Sequence, residues 1–451
     1  MSLPPLPTAW NLYNLASSPF FQGTLERRDQ SQRPLSLFVG RDEELRRLRA
    51  RVHGAGRGSS RQAVAGMPGV GKTTLVQELK SQLLADGYLA TDELVPVLPG
   101  DTPDQLFGRV LAALYDTILV NRPQTRDNQA MRDAQLLVRA SRIGTGGVSA
   151  AAFGFGGGVT RGSTVVTPKD MLIDGPRVMR DLMALVHGSD ARGVVLHLNN
   201  LENLTESDAR HAAELLRSLR DLMLLHDGLH LVLVGTTDAV QAIVQPHAQV
   251  RSIIDILPVG PLTVTEVRKL LAARAQHLRL DAKKPVIPPV DDDAVAVLYE
   301  LYRGDLRGLL KALDDGVGQL IGIEGLRHST RRASTPAVRP LTLDELRPAL
   351  RDRYFLELQQ LPERTRVEQL TRWGEAAPER AMTQKDLMRL WKLTQGAVST
   401  ALAWFSERGF VVALPRQGTQ PTEYVLSGTS RLIFPAALPT KARSTRGARR
   451  S

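Results

Sequence analysis

Cysteine is absent from the 451 residues. That excludes disulfides, thiolate metal sites and a cysteine nucleophile, and it fits a reducing compartment. No stretch approaches the roughly 18 apolar residues of a membrane-spanning helix. The N-terminus, Met1-Ser2-Leu3-Pro4-Pro5, lacks the charged region leading into an apolar run that marks a secretion signal. Secretion and membrane insertion are therefore not expected, and the cytoplasm is the expected location. No repeat of fixed period occurs, which argues against a solenoid or propeller.

What is present is a globular composition, 42% hydrophobic and 23% charged, on a chain long enough for two or three domains. Lys and Arg number 58 against 47 Asp and Glu, a formal charge of +11. Such an excess attracts polyanions, with nucleic acid as the first candidate, although a solvated basic surface gives the same sign.

Residues 1–36 are rich in Pro, Ser and Arg and read as an extended N-terminal arm that packs only around Pro19, Phe20 and Phe21. Glu44, Leu45, Leu48 and Val52 have helical spacing up to the break at Gly54 and Gly56. Short apolar runs at 62–65, 94–98, 194–198 and 229–234 then alternate with amphipathic stretches at 75–84, 106–119 and 209–225. That order predicts an α/β domain over residues 37–260 with a parallel sheet and crossover helices. The pattern breaks down over 121–169, which reads as a Gly-rich insertion with Phe153 and Phe155 as its large anchors. Helices are expected over 261–325, a linker over 326–340, a mostly helical domain over 341–434 and a basic disordered tail over 435–451, with Lys441, Arg443, Arg446, Arg449 and Arg450.

The strongest motif is Gly66-Met67-Pro68-Gly69-Val70-Gly71-Lys72-Thr73, which follows the apolar run Ala63-Val64-Ala65 and precedes Leu75-Val76-Gln77-Glu78-Leu79. It fits the pattern G-x-x-x-x-G-K-[ST] in the strand-loop-helix setting that pattern requires. Glycines let main-chain N–H groups turn inward on phosphate, Lys72 supplies a point charge to the terminal phosphates, and Thr73 is placed to hold magnesium through its hydroxyl. ATP with Mg2+ is the expected ligand, with Pro68, Gly69, Val70, Gly71, Lys72, Thr73 and Thr74 as its contacts.

A second acidic motif belongs at the end of an apolar strand. The best candidate, Val194 to Leu198, runs into Asn199 and Asn200 where Asp and Glu are usual. An amide neither takes a proton from water nor brings negative charge to a metal's outer shell, so slow hydrolysis is expected. Glu202 is the nearest carboxylate, and its register suits a solvated turn better than a base. After the run Leu229–Val234, Thr237 is the first choice for a polar contact with the terminal phosphate and Thr236 the second.

Together Pro19-Phe20, the stretch Phe38-Val39-Gly40-Arg41-Asp42-Glu43-Glu44-Leu45, the phosphate loop and the later strands resemble AAA+ ATPases of the origin recognition and replication initiator type. The resemblance covers about residues 15–325 and implies a P-loop AAA+ parallel sheet with a helical lid. It places Phe38, Val39 and Arg41 against adenine. It makes Arg251, in Val250-Arg251-Ser252-Ile253, an arginine finger reaching a neighbour's nucleotide. It makes Arg307, in Gly304-Asp305-Leu306-Arg307, a phosphate sensor on the lid. The Asn199-Asn200 pair and the Gly-rich insertion depart from that family.

In the C-terminal region Thr383 and Asp386 have capping-box spacing at the start of one helix, and a second begins at about Gln395. Val398, Ala401, Leu402 and Phe405 fall on one face of it. Gln395, Ser399 and Thr400 fall on another, which is free to enter a DNA groove. The runs 410–414 and 423–426 flank a loop with Arg416 and read as a hairpin. That order resembles a winged helix, which binds double-stranded DNA or docks protein. The expected whole is an ATP-switched, self-associating, DNA-binding protein acting in DNA replication, plasmid or mobile-element maintenance. The alternative is a signalling or phage-defence NTPase that oligomerises on a protein partner. The missing acidic pair disfavours a fast ATPase motor.

Overall fold

The computed structural model describes residues 9–27, 33–144, 171–201, 204, 206–329, 338–414 and 420–434. The chain divides into two compact units, one spanning Gly23–Pro261 and the other combining Met1–Gln22 with Leu262–Ser451.

The first unit runs α1 (Asp42–Gly54), β1 (Arg61–Ala65), α2 (Lys72–Ala85), β2 (Val95–Pro96), α3 (Pro103–Asn121), α4 (Gln129–Gly144), α5 (Met171–His187), β3 (Val194–Asn199), α6 (Glu206–Ser218), β4 (Leu229–Gly235), α7 (Thr237–Val244), α8 (Ala248–Arg251) and β5 (Asp255–Pro258). The five strands form one sheet in the order β2-β3-β4-β1-β5, and every pairing is parallel. Such a sheet needs cover on both faces, and two cores supply it. Leu75, Val76, Leu79 and Leu83 of α2 close one face over Val64, Val195, Val232 and Val234. Helices α3 to α6 close the other over Ala63, Leu196, Leu198, Leu231 and Leu233. Asp42, Glu43 and Glu44 sit in the first turn of α1, where the helix dipole favours negative charge.

The expected parallel sheet is present, with one helix inside the stretch read as an insertion and two further elements where no element was assigned. Strand β5 is a four-residue edge strand ending in Pro258, and proline is tolerated at an edge because no ladder donor is needed there. Helix α4 occupies much of the stretch read as a Gly-rich insertion, with Met131, Ala134 and Leu137 buried. Helix α5 forms across Gly175-Pro176, with the proline inside the helix. There, Cβ at Gly175 would come within 2.5 Å of the Phe107 ring, so glycine lets α3 and α5 approach closely. The Gly-rich residues 145–170, including Phe153 and Phe155, lie outside the described residues.

The second unit contains α9 (Val264–His277), α10 (Asp292–Leu301), α11 (Leu306–Ser329), α12 (Leu343–Gln359), α13 (Arg364–Ala376), β6 (Met382–Thr383), α14 (Gln384–Trp391), α15 (Gln395–Glu407), β7 (Val411–Ala413), β8 (Glu423–Leu426) and α16 (Gly428–Ile433). Residues 341–375 thus hold most of two helices. Strands β6, β8 and β7 make a three-stranded antiparallel sheet. The fold around them is a winged helix, with Trp373, Trp391 and Phe405 in edge-on and tilted contact at its centre. Buried Trp391 also donates its indole N–H to the carbonyl of Gln369 at 2.9 Å, which fixes α14 against α13.

Helices α11, α12 and α16 pack on one another in this unit. Asp315 of α11 accepts from Tyr354 Oη and from Arg353, each at 3.0 Å. Residues 330–337 of the expected linker lie outside the described residues. The N-terminal arm is more firmly held than its composition suggests, because packing begins before Pro19. Leu15 is fully buried and Tyr13 nearly so. Asn14, in a left-handed conformation with φ 61°, donates to the carbonyls of Asp281 and Lys284 at 3.0 and 2.9 Å and accepts from the N–H of Asp281. Arg274 donates to the carbonyl of Phe21 at 2.7 Å and lies over its ring.

Candidate nucleotide site and nucleic-acid face

The phosphate loop leaves the C-terminal end of β1, which lies between β4 and β5, and ends at the N-terminus of α2. Orphan N–H groups at that helix start and its positive dipole end make it an anion site. Gly69 and Gly71 have φ of 81° and 93°, which favours glycine. A side chain at Gly66 would place Cβ 2.4 Å from the Val259 carbonyl oxygen, whereas one at Gly71 would meet nothing within 4 Å. The loop is therefore packed on one side and open on the other.

Lys72 is buried, and its Nζ donates to the carbonyls of Gly66 and Met67 at 3.0 and 2.9 Å. The cation is thus held over the loop by the loop itself. Val70 is buried, Pro68 is exposed, and Thr73 and Thr74 lie half-buried in the first turn of α2. This donor set fits a triphosphate. Among the described residues no cluster of three or more His, Asp or Glu is built to hold a metal, so Mg2+ fits here only with the nucleotide's own oxygens and the Thr73 hydroxyl.

Asn199 ends β3. By the two-residue alternation of a strand it shares the sheet face of Val195, the face that α2 covers. The strand thus brings Asn199 to its C-terminal end on the side of the sheet that α2 covers. Its Nδ2 donates to Asn200 Oδ1 at 3.3 Å, and its Oδ1 is buried without a partner among the described residues. Asn200 has φ 71°, a conformation that asparagine tolerates. Glu202 lies outside the described residues. In sequence between these motifs lie two buried bases, Lys80 and His197. Lys80 donates to the carbonyls of Thr91 and Glu93 at 2.9 Å each, and its burial lowers its pKa to about 7. His197 is fully buried, and burial followed by the Lys80 charge keeps its pKa well below the usual value.

Of the two threonines after β4, Thr236 caps α7 by accepting from the Ala239 N–H at 3.3 Å, while Thr237 is the first residue of α7 and half-buried. Arg251 ends α8 and is exposed. Arg307 is exposed in the first turn of α11, in the other unit. Asp305 there accepts from the Gly308 N–H at 3.0 Å, and burial, partly offset by that bond, raises its pKa. Phe38 and Val39 are half-buried before α1.

Arg41, which the resemblance places against adenine, is held by contacts within the protein. Its side chain is almost fully buried. One nitrogen, Nη2, donates to the carbonyls of Val70 at 3.1 Å and Gly260 at 2.5 Å, and Nη1 pairs with Glu44 at 3.1 Å. The guanidinium is committed to protein carbonyls. The backbone there is unusual, with successive positive φ values of 74° at Gly40 and 69° at Arg41.

In the winged helix, Thr383 and Asp386 form a reciprocal cap, and Val398, Ala401, Leu402 and Phe405 of α15 are buried. Gln395, Ser399 and Thr400 are exposed on the other face. Thr400 returns its hydroxyl to the Gly396 carbonyl at 3.0 Å. Arg416 and the tail 435–451 lie outside the described residues.

Residues 37–234 match the family model described as AAA ATPase domain. No curated protein matches the sequence. Among solved structures the chain is similar to the Aeropyrum pernix ORC2 protein in its ADPNP-ADP complexes, at 16% identity over 92% of this chain and 95% of that one, with a TM-score of 0.46. It is also similar to the Aeropyrum pernix ORC1 protein in complex with DNA, at 16% identity over 88% and 92%, with a TM-score of 0.40. A third similar structure is Drosophila ORC bound to DNA, at 12% identity over 96% and 94%, with a TM-score of 0.41. Among the described residues no helix is long and apolar enough to cross a membrane.

Proposed function

We propose that this chain, whose residues 37–234 match the AAA ATPase domain model, binds ATP with Mg2+ and uses it as an assembly or conformational switch while its winged helix holds duplex DNA. The role is that of an initiator-like protein in DNA replication, plasmid or mobile-element maintenance. The observation that carries the reading is the contrast within one site. A phosphate loop with its buried cation is intact at Lys72, while the strand position that would serve hydrolysis ends in the amide of Asn199. Tight binding with slow turnover is what a switch needs.

Thr73 would hold the metal, and Thr237 would meet the terminal phosphate. The bound Mg2+ would draw charge from the β- and γ-phosphate oxygens. Arg251 would reach a neighbouring copy's nucleotide. Arg307 would reach phosphate from the lid; a cation in a helix's first turn opposes the dipole, a cost that an anionic ligand would offset. Gln395, Ser399 and Thr400 would face the groove, with Arg416 and the basic tail on phosphates.

The test combines three assays on the purified chain: labelled-ATP titration with Mg2+, phosphate release, and gel shift of duplex DNA with and without ATP. Expected are saturable ATP binding, slow release, and DNA binding that responds to nucleotide. Arg416→Ala with removal of 435–451 lowers DNA affinity and makes its salt dependence shallower, by about one unit of slope per lost phosphate contact. ATP-dependent oligomers that ignore DNA would instead identify a signalling or phage-defence NTPase with a protein partner.

A further inference from the structure

We propose that Arg41 is a coupling residue that links occupancy of the phosphate loop to the peptide where the chain passes from one unit to the other. The proposal rests on nucleotide binding at the loop and adds to it a route by which that event leaves the site.

Three observations meet at this side chain. The first is its pair of main-chain partners. Val70 lies in the phosphate loop, and Gly260 lies immediately before Pro261, the last residue of its unit. One guanidinium nitrogen grips both carbonyls. The second is peptide geometry. No cis peptide bond occurs among the described residues, and in a planar trans peptide the C=O and the following N–H point in opposite directions. Holding the Val70 carbonyl on the Arg41 side therefore turns the Gly71 N–H to the opposite side, and a Cβ on Gly71 would meet nothing within 4 Å. The third is conformational cost. Arg41 adopts φ 69° and keeps its cation out of water. Left-handed backbone at a non-glycine residue and burial of a guanidinium are both unfavourable, and such outliers persist where the surroundings over-determine them.

The coupling follows from polarisation. An anion accepting from the Gly71 N–H makes the Val70 carbonyl of the same peptide a stronger acceptor, and Arg41 then binds it more tightly. The fork is rigid, so the Gly260 carbonyl held by the same nitrogen is fixed with it. Val259 is tied in directly, since its N–H donates to the Ala65 carbonyl at 2.7 Å and its own carbonyl lies against Gly66. The segment from Val259 to Pro261 is thus attached at both ends of the phosphate loop. By linkage, any event that displaces Gly260 weakens phosphate binding by the factor that phosphate binding steadies Gly260.

Amide hydrogen exchange on the full chain, with and without saturating ATP and Mg2+, tests the idea. In the unaltered protein ATP slows exchange at Val259, Gly260 and Leu262 by at least about fivefold, the lower end of ordinary coupling. Arg41→Lys keeps the charge and loses the fork. It binds labelled ATP within about threefold of the unaltered chain but shows at most half of that slowing. Arg41→Ala loses the slowing at these three amides while the amides of Lys72 to Thr74 remain protected by ATP. If Arg41→Ala does not fold, Arg41→Lys decides the matter alone. Full ATP-dependent slowing in Arg41→Lys overturns the proposal, as does an unaltered protein that binds labelled ATP without slowing at 259–262. Failure of the unaltered protein to bind labelled ATP overturns the nucleotide reading itself.

Discussion

Lys72 Nζ donates to the Gly66 carbonyl at 3.0 Å, closing the phosphate loop on itself with the charge inside. A triphosphate would take over donors that the loop now satisfies, so the cation is positioned before the ligand arrives. Pre-positioning of this kind lowers the ordering cost of binding.

Replacing Lys72 by Ala removes that charge and leaves the Gly66 and Met67 carbonyls without their donor. Hydrogen bonds to charged groups contribute about 1.5–3 kcal/mol, so ATP affinity should fall by ten- to more than a hundredfold. Titration with labelled ATP measures it. An unchanged affinity would mean that the nucleotide binds elsewhere.

Asn199→Asp with Asn200→Glu supplies the missing carboxylates at the end of β3. A positioned general base contributes about 10²–10⁴-fold, so single-turnover phosphate release should rise by at least about 10²-fold with little change in ATP affinity. If the double variant is no faster, slow turnover has its cause elsewhere in the site.

His230 gives the unit a defined acid sensitivity. It is fully buried against Tyr88 at 5.3 Å, and its Nδ1 accepts from the Ser60 N–H at 3.2 Å. Burial lowers its pKa to about 4, and His197 is shifted in the same direction. Below the unfolded value of about 6.5 the unfolded chain takes up protons that the folded one excludes. The stability that depends on these histidines is therefore complete above about pH 6.5 and falls as the pH drops towards 4, by up to about 1.4 kcal/mol per unit for each histidine. Urea midpoints at pH 7.5 and 5 measure the loss, and His230→Gln should reduce it by about half. An equal pH dependence in both proteins would assign it to other groups.

The loop from Gly66 to Thr73 was legible because its function demands fixed glycines and one lysine in sequence order. Asn199 and Asn200 were equally plain, since an apolar run announces its own end. Helix α15 could be read because Val398, Ala401, Leu402 and Phe405 keep helical spacing. What escaped has physical causes. Helix α5 carries Gly175-Pro176, whose local preference opposes a helix, while its buried face of Met171, Val178, Met179, Leu182 and Val186 favours one. Strand β5 is short and half-exposed, so its burial pattern has no clear period. The contacts of Arg41 with Val70 and Gly260 could not be read in advance, because residue type alone does not reveal a positive φ or a partner distant in sequence.

The grip of Asn14 on the carbonyls of Asp281 and Lys284 means that the N-terminal segment and the helices after Leu262 share one body although a whole unit separates them in sequence. A nick in the chain between Gln22 and Phe38 would therefore leave residues 9–22 docked where they are, retained by their own contacts after the covalent tie is gone.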